Sequence, residues 1–114
     1  MDRIYDLSRQ LNNALLESKE YQRYISAKRA LESQPELYQA MNEYRRRNRH
    51  IQRYAADDTI FDETNQLLTE FDPVLKNDLV TAFLFTEQQV CRMMQKMYVV
   101  IGNGLEFDDS YTEG

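Results

Sequence analysis

The stretch from Leu79 to Ile101 constrains this chain more than any other. Val80, Phe83, Glu87, Val90, Met94, Met97 and Ile101 follow one another at intervals of 3-4-3-4-3-4. That is the heptad spacing of a helix packed lengthwise on another helix. The spacing predicts a helix of about 23 residues, roughly 35 Å long at about 1.5 Å per residue. Leu84, Cys91 and Tyr98 widen the stripe on one side, and Leu79, Met93 and Val100 widen it on the other. The apolar arc then covers roughly 200°, about twice what a helix needs to face a single core. This helix is therefore expected to touch two bodies, its own domain and something else. Leu79, Phe85, Met93 and Val100 are the candidate interface residues. Met94 is expected in the intramolecular core and Met93 on the intermolecular side.

The rest of the chain supplies elements that can pack around this seam. Ile4, Leu7, Leu11 and Ala14 keep helical spacing in a first helix from Asp2 to about Leu16. Ser18 is a natural cap for a second helix, Lys19 to Glu32, whose stripe of Tyr21, Tyr24, Ile25, Lys28 and Leu31 is narrow. Ser33 and Glu36 have the spacing of a capping box, with Pro35 in the first turn. The third helix they start runs to about Ala55 on Leu37, Met41, Tyr44, Asn48, Ile51 and Ala55. Being long, it is expected to form an antiparallel hairpin with the last helix. Ile60, Phe61, Leu67, Leu68 and Phe71 suggest a short fourth helix that Asp72-Pro73 breaks or bends. Asn77 or Asp78 should cap the final helix, and Gly102-Asn103-Gly104 should end it with left-handed residues. The expected fold is all-α, a bundle of four to five helices built on a long antiparallel helical hairpin. Residues 1–102 form the single domain, and 103–114 form an acidic, mobile tail from which Phe107 or Tyr111 could dock.

Composition agrees. Among 114 residues there are only 3 Gly and 2 Pro, and the hydrophobic content of 42% suits one modest core. No apolar run is long enough to span a membrane. The first residues hold no apolar segment of a signal peptide. A single cysteine allows no internal disulfide and fits a reducing cytosol, so a cytoplasmic location is expected. The net charge of −5 is divided unevenly. Residues 1–56 hold 11 Lys+Arg against 7 Asp+Glu, and residues 57–114 hold 3 against 12. A basic half and an acidic half can attract each other within a chain or between chains.

Few residues suggest chemistry. His50 is the only histidine and has no second imidazole or thiol cluster beside it, so it reads as a surface residue rather than a ligand. Cys91 lies on the last helix's stripe and reads as a packed, inert thiol that should label slowly in the native state. Arg45, Arg46, Arg47, Arg49 and Arg53 form a basic stripe. It can be read as a phosphate-binding surface, as a protein-docking surface, or as a solvated face paired with acids such as Asp57, Asp58, Asp62 and Glu63. Those acids lack the spacing and glycine of a calcium loop. Glu87 is the polar member of the seam and needs a partner there; an arginine of the third helix or a tyrosine hydroxyl can serve. Met93, Met94 and Met97 make an adaptable apolar surface. No cofactor and no metal is expected, and the chain is not expected to be an enzyme.

Three stretches resemble the YlbF/YmcA family of small helical bacterial regulators, which includes YheA-like proteins. They are Ala14 to Leu31 with Ser18-Lys19-Glu20-Tyr21, Tyr24 and Ala27; Pro35-Glu36-Leu37 with Met41 and Tyr44; and Asp78-Leu79-Val80 through Phe83-Leu84 and Glu87 to Val90, Met94, Met97 and Ile101. Thr86 stands where the family pattern has a small residue. The resemblance implies an all-helical bundle that forms oligomers or hetero-complexes and has no catalysis of its own. It implies an adaptor in a complex that influences RNA processing by a membrane-anchored ribonuclease, and so competence, biofilm formation and sporulation. In that branch, cysteines of a C-terminal extension help hold iron–sulfur clusters. The tail from Asn103 to Gly114 has no cysteine, so that role does not carry over. The expected partners are the chain itself, as a homodimer or higher assembly, and related helical regulators, with an indirect link to a ribonuclease. The alternative is an RNA-binding module using Arg45, Arg46, Arg49 and Arg53.

Overall fold

The computed structural model describes residues 2–106, and these hold six helices and no strand. They are α1 (Asp2–Glu17), α2 (Lys19–Glu32), α3 (Pro35–Tyr54), α4 (Ile60–Glu70), α5 (Asp72–Leu75) and α6 (Asp78–Gly102). The all-α reading holds. The sixth helix arises because Pro73 does not merely bend α4; it sits in the first turn of a separate element. The expected docking of Phe107 or Tyr111 lies outside the described residues.

Local chemistry explains most of the boundaries. The Tyr21 N–H donates to the Ser18 hydroxyl at 3.2 Å, which caps α2. The Leu79 N–H donates to Asn77 Oδ1 at 2.9 Å, which caps α6. The expected capping box at Ser33 does not form. The Ser33 hydroxyl turns back to donate to the Ala30 carbonyl at 2.6 Å, and Gln34 takes the cap position of α3 without a side-chain bond. At the end of α6 only Gly104 is left-handed, at φ 86°; Asn103 is extended.

The partner of α6 also differs from expectation. Its main neighbour is α2, while α3 touches it more sparingly. Leu31 of α2, Met41 of α3, and Val80 and Phe83 of α6 form the buried cluster, with Tyr24, Ala27, Leu37 and Leu79 packed around it. The stripe of α2 is narrow, but Ala27 beside it is small and lets two helices approach closely. The remainder of α3 turns to α4 and α5 instead. The Tyr44 ring lies 5.7 Å from that of Phe71, and Leu67 is buried nearby.

The molecule is thin and open. Its extents are 51 × 42 × 16 Å and its radius of gyration is 18.8 Å. A compact domain of this length would have a radius of gyration of about 13 Å. Among the described residues only Leu31, Met41, Leu67, Val80 and Phe83 are buried apolar residues. Truncation should therefore matter at very few positions. Leu31→Ala and Phe83→Ala should each cost about 2–5 kcal/mol in urea denaturation followed by circular dichroism. Phe61→Ala, at a side chain 74% exposed, should cost less than about 0.5 kcal/mol.

Candidate interaction surface

Three helices meet at one polar point. Arg45 projects from α3 across the seam, and its Nη2 donates to Oε1 and Oε2 of Glu87 at 3.1 and 3.0 Å. The same guanidinium lies 5.6 Å over the Phe83 ring. The Tyr24 ring of α2 lies 5.6 Å from Phe83 on another side. Burial pushes the Tyr24 phenol above its ordinary value of 10.0, and the nearby Lys28 partly offsets this. Of the two expected partners for the seam carboxylate, an α3 arginine or a tyrosine hydroxyl, it is the arginine that binds it. The Arg45 and Glu87 side chains keep 34% and 27% exposure, so the pair is a partly solvated clamp rather than a buried ion pair.

Two of its neighbours in the basic stripe are also engaged. Arg46 pairs with Glu43. Arg47 pairs with Glu70 at 2.5 Å and lies 5.4 Å over the Phe71 ring. Arg49 and Arg53 are exposed. An open cleft of about 580 Å³ lies between α3 and α4, lined by Arg46, Arg47, His50, Glu63, Leu67 and Glu70 among others. His50 is exposed there with its ring 4.9 Å from Tyr54. Within this cleft Arg47 and Glu70 satisfy each other, which leaves little converging polarity. Asp57, Asp58, Asp62 and Glu63 sit around the start of α4, where acids favour the helix dipole. Glu63 accepts from the Thr59 hydroxyl at 3.2 Å. Among the described residues no three His, Cys, Asp or Glu side chains are grouped to hold a metal ion.

The extended apolar surface lies elsewhere. Along α6 the seam is buried at Val80 and Phe83, half-buried at Val90, Met94 and Met97, and 58% exposed at Ile101. Met94 is therefore half-buried rather than in the intramolecular core, where it was expected; none of the described helices covers that end of α6 closely enough. Of the candidate interface residues, Phe85 and Val100 are exposed and Met93 is half-buried. Leu79 instead packs on the chain's own buried cluster. Cys91 is exposed, which corrects the packed-thiol expectation for the same reason as Met94. A second apolar strip runs along α1, where no residue is buried and Ile4 and Leu7 are 65% and 51% exposed. The first helix's spacing was legible, but nothing local marked its stripe as uncovered. The usable signal was the mismatch between a long last helix and a short second one.

The profile of a family described as "Control of competence regulator ComK, YlbF/YmcA" matches residues 4–106. A UPF0342 protein of Symbiobacterium thermophilum is 25% identical over 112 residues, covering 96% of this chain and 100% of its own length. UPF0342 proteins of Caldicellulosiruptor bescii and Caldicellulosiruptor saccharolyticus are 22% and 21% identical, covering 96% of this chain and 93% and 92% of their own lengths. No solved structure matches the chain.

The clamp and the thiol can both be tested. A double-mutant cycle of Arg45→Ala and Glu87→Ala should give a coupling of about 1 kcal/mol, discounted for its exposure to solvent. Glu87→Leu with Arg45→Met should be close to neutral, because apolar residues of similar size fit a seam. Cys91 should react with a thiol reagent in the native protein at a rate within about tenfold of that in denaturant.

Proposed function

Because the chain belongs to the YlbF/YmcA family, a family of regulators described by control of ComK, we propose that it is a non-catalytic adaptor acting through protein–protein contact. The observation that carries this reading is the pair of apolar strips on α1 and on the C-terminal half of α6. Exposed apolar surface of this extent marks an interaction site. The partners are further copies of this chain and related helical regulators, in the cytoplasm. The setting is a complex that modulates RNA processing, and through it developmental traits, with an indirect link to a ribonuclease. Among the described helices none is long and apolar enough to cross a membrane.

Direct RNA binding is the weaker reading. A phosphate-binding stripe needs its cations free to displace counterions. Here Arg45, Arg46 and Arg47 are each held by a glutamate of the same chain.

Complementation in a host lacking the gene tests the adaptor reading. Wild type, His50→Ala and an Arg49→Ala/Arg53→Ala double variant should restore the deletion phenotype. Met97→Glu and Leu7→Glu should not. The opposite pattern, together with sub-micromolar RNA binding in fluorescence polarisation at physiological salt, would overturn it.

A further inference from the structure

Helix α2 is 14 residues long and α6 is 25. At about 1.5 Å per residue, α2 covers about 21 Å of a helix about 37 Å long. The incompletely covered part of the seam, Val90 to Ile101, is about 16 Å long, and so is the incompletely covered strip of α1 from Ile4 to Leu15. Both follow the 3-4 spacing by which helices interlock. Two strips of equal length and matching pattern are therefore incompletely covered on one chain: Ile4, Leu7 and Ile101 are exposed, while Leu11, Leu15, Val90, Met94 and Met97 are half-buried.

They do not cover each other within the chain, since Ile4, Leu7 and Ile101 are all more than half exposed. The junction between α1 and α2 explains why. It is the single residue Ser18, extended at φ −64° and ψ 150°. Its hydroxyl donates to the Leu15 carbonyl at 2.7 Å while accepting from the Tyr21 N–H. Gln22 Nε2 bridges the joint by donating to the Leu16 carbonyl at 2.7 Å. Swinging α1 to another angle would break these bonds.

We propose that α1 of one copy packs on the C-terminal half of α6 of a second copy, and reciprocally, so that two chains exchange N-terminal arms. The proposal rests on the reading of this chain as a protein that works by contact, and names the surfaces involved. A reciprocal exchange closes on itself as a two-fold dimer and satisfies both strips at once.

The full-length chain provides the test. Light scattering at tens of micromolar should give twice the 13.6 kDa chain mass. Leu7→Glu on α1 and Met97→Glu on α6 should each yield monomers with unchanged helical circular dichroism. Ile4→Glu serves as a second α1 variant should Leu7→Glu disturb the helix. Mixing the Leu7→Glu and Met97→Glu proteins should restore dimers, because one of the two contacts in the mixed pair is then unmodified. A dimer formed by α1 on α1, or by α6 on α6, would show no such rescue and would overturn the exchange. So would a monomeric wild type, or dimers indifferent to all these variants. A monomeric wild type whose Leu7→Glu and Met97→Glu variants still fail complementation would overturn the exchange alone and leave the adaptor reading standing. Dimerisation as proposed, with both variants complementing fully, would overturn the adaptor reading alone.

Discussion

The seam of α6 is longer than the helix that packs on it, and the shape of the molecule follows from that difference. Where α2 reaches, the seam is dry: Leu31, Val80 and Phe83 exclude water, with Met41 closing the cluster from α3. Beyond Glu87 no side chain of α6 is buried. An apolar heptad in water has an unfavourable free energy that grows with its area. A radius of gyration of 18.8 Å against the about 13 Å of a compact domain is the global form of the same local deficit.

The Arg45–Glu87 clamp sits at the border between the covered and uncovered parts. A carboxylate on a seam disfavours sliding of one helix along another, because only one register brings the arginine to it. The clamp also joins the basic half of the sequence to the acidic half, as Arg47–Glu70 does. The charge asymmetry is thereby partly consumed in holding the chain together.

Much of this was legible in the residues. The helix limits followed from Ser18, Pro35 and Asn77, whose side-chain oxygens or fixed φ act within one turn. The need of Glu87 for a partner, an α3 arginine or a tyrosine hydroxyl, followed from the cost of an unpaired charge on a seam. What stayed hidden was pairing at a distance. Heptad spacing states that α6 has a partner but not which, and the length of α3 pointed to the wrong one. Cys91 and Met94 were misplaced for the same reason: their spacing is that of core residues, while their burial depends on the length of another helix. Ser33 was misassigned because a serine hydroxyl reaches back to the preceding turn as readily as forward to the next.

The joints between these helices are short. One residue separates α1 from α2, two separate α2 from α3, one separates α4 from α5 and two separate α5 from α6; only the segment 55–59 between α3 and α4 has any slack. Each residue added to a helix turns everything beyond it by about 100°. With joints this tight there is no loop to absorb that rotation, so an added or lost residue would carry whole stripes off their faces. The chain can accept substitution across most of its exposed surface, yet it tolerates a change of length almost nowhere but at 55–59 and after the end of α6.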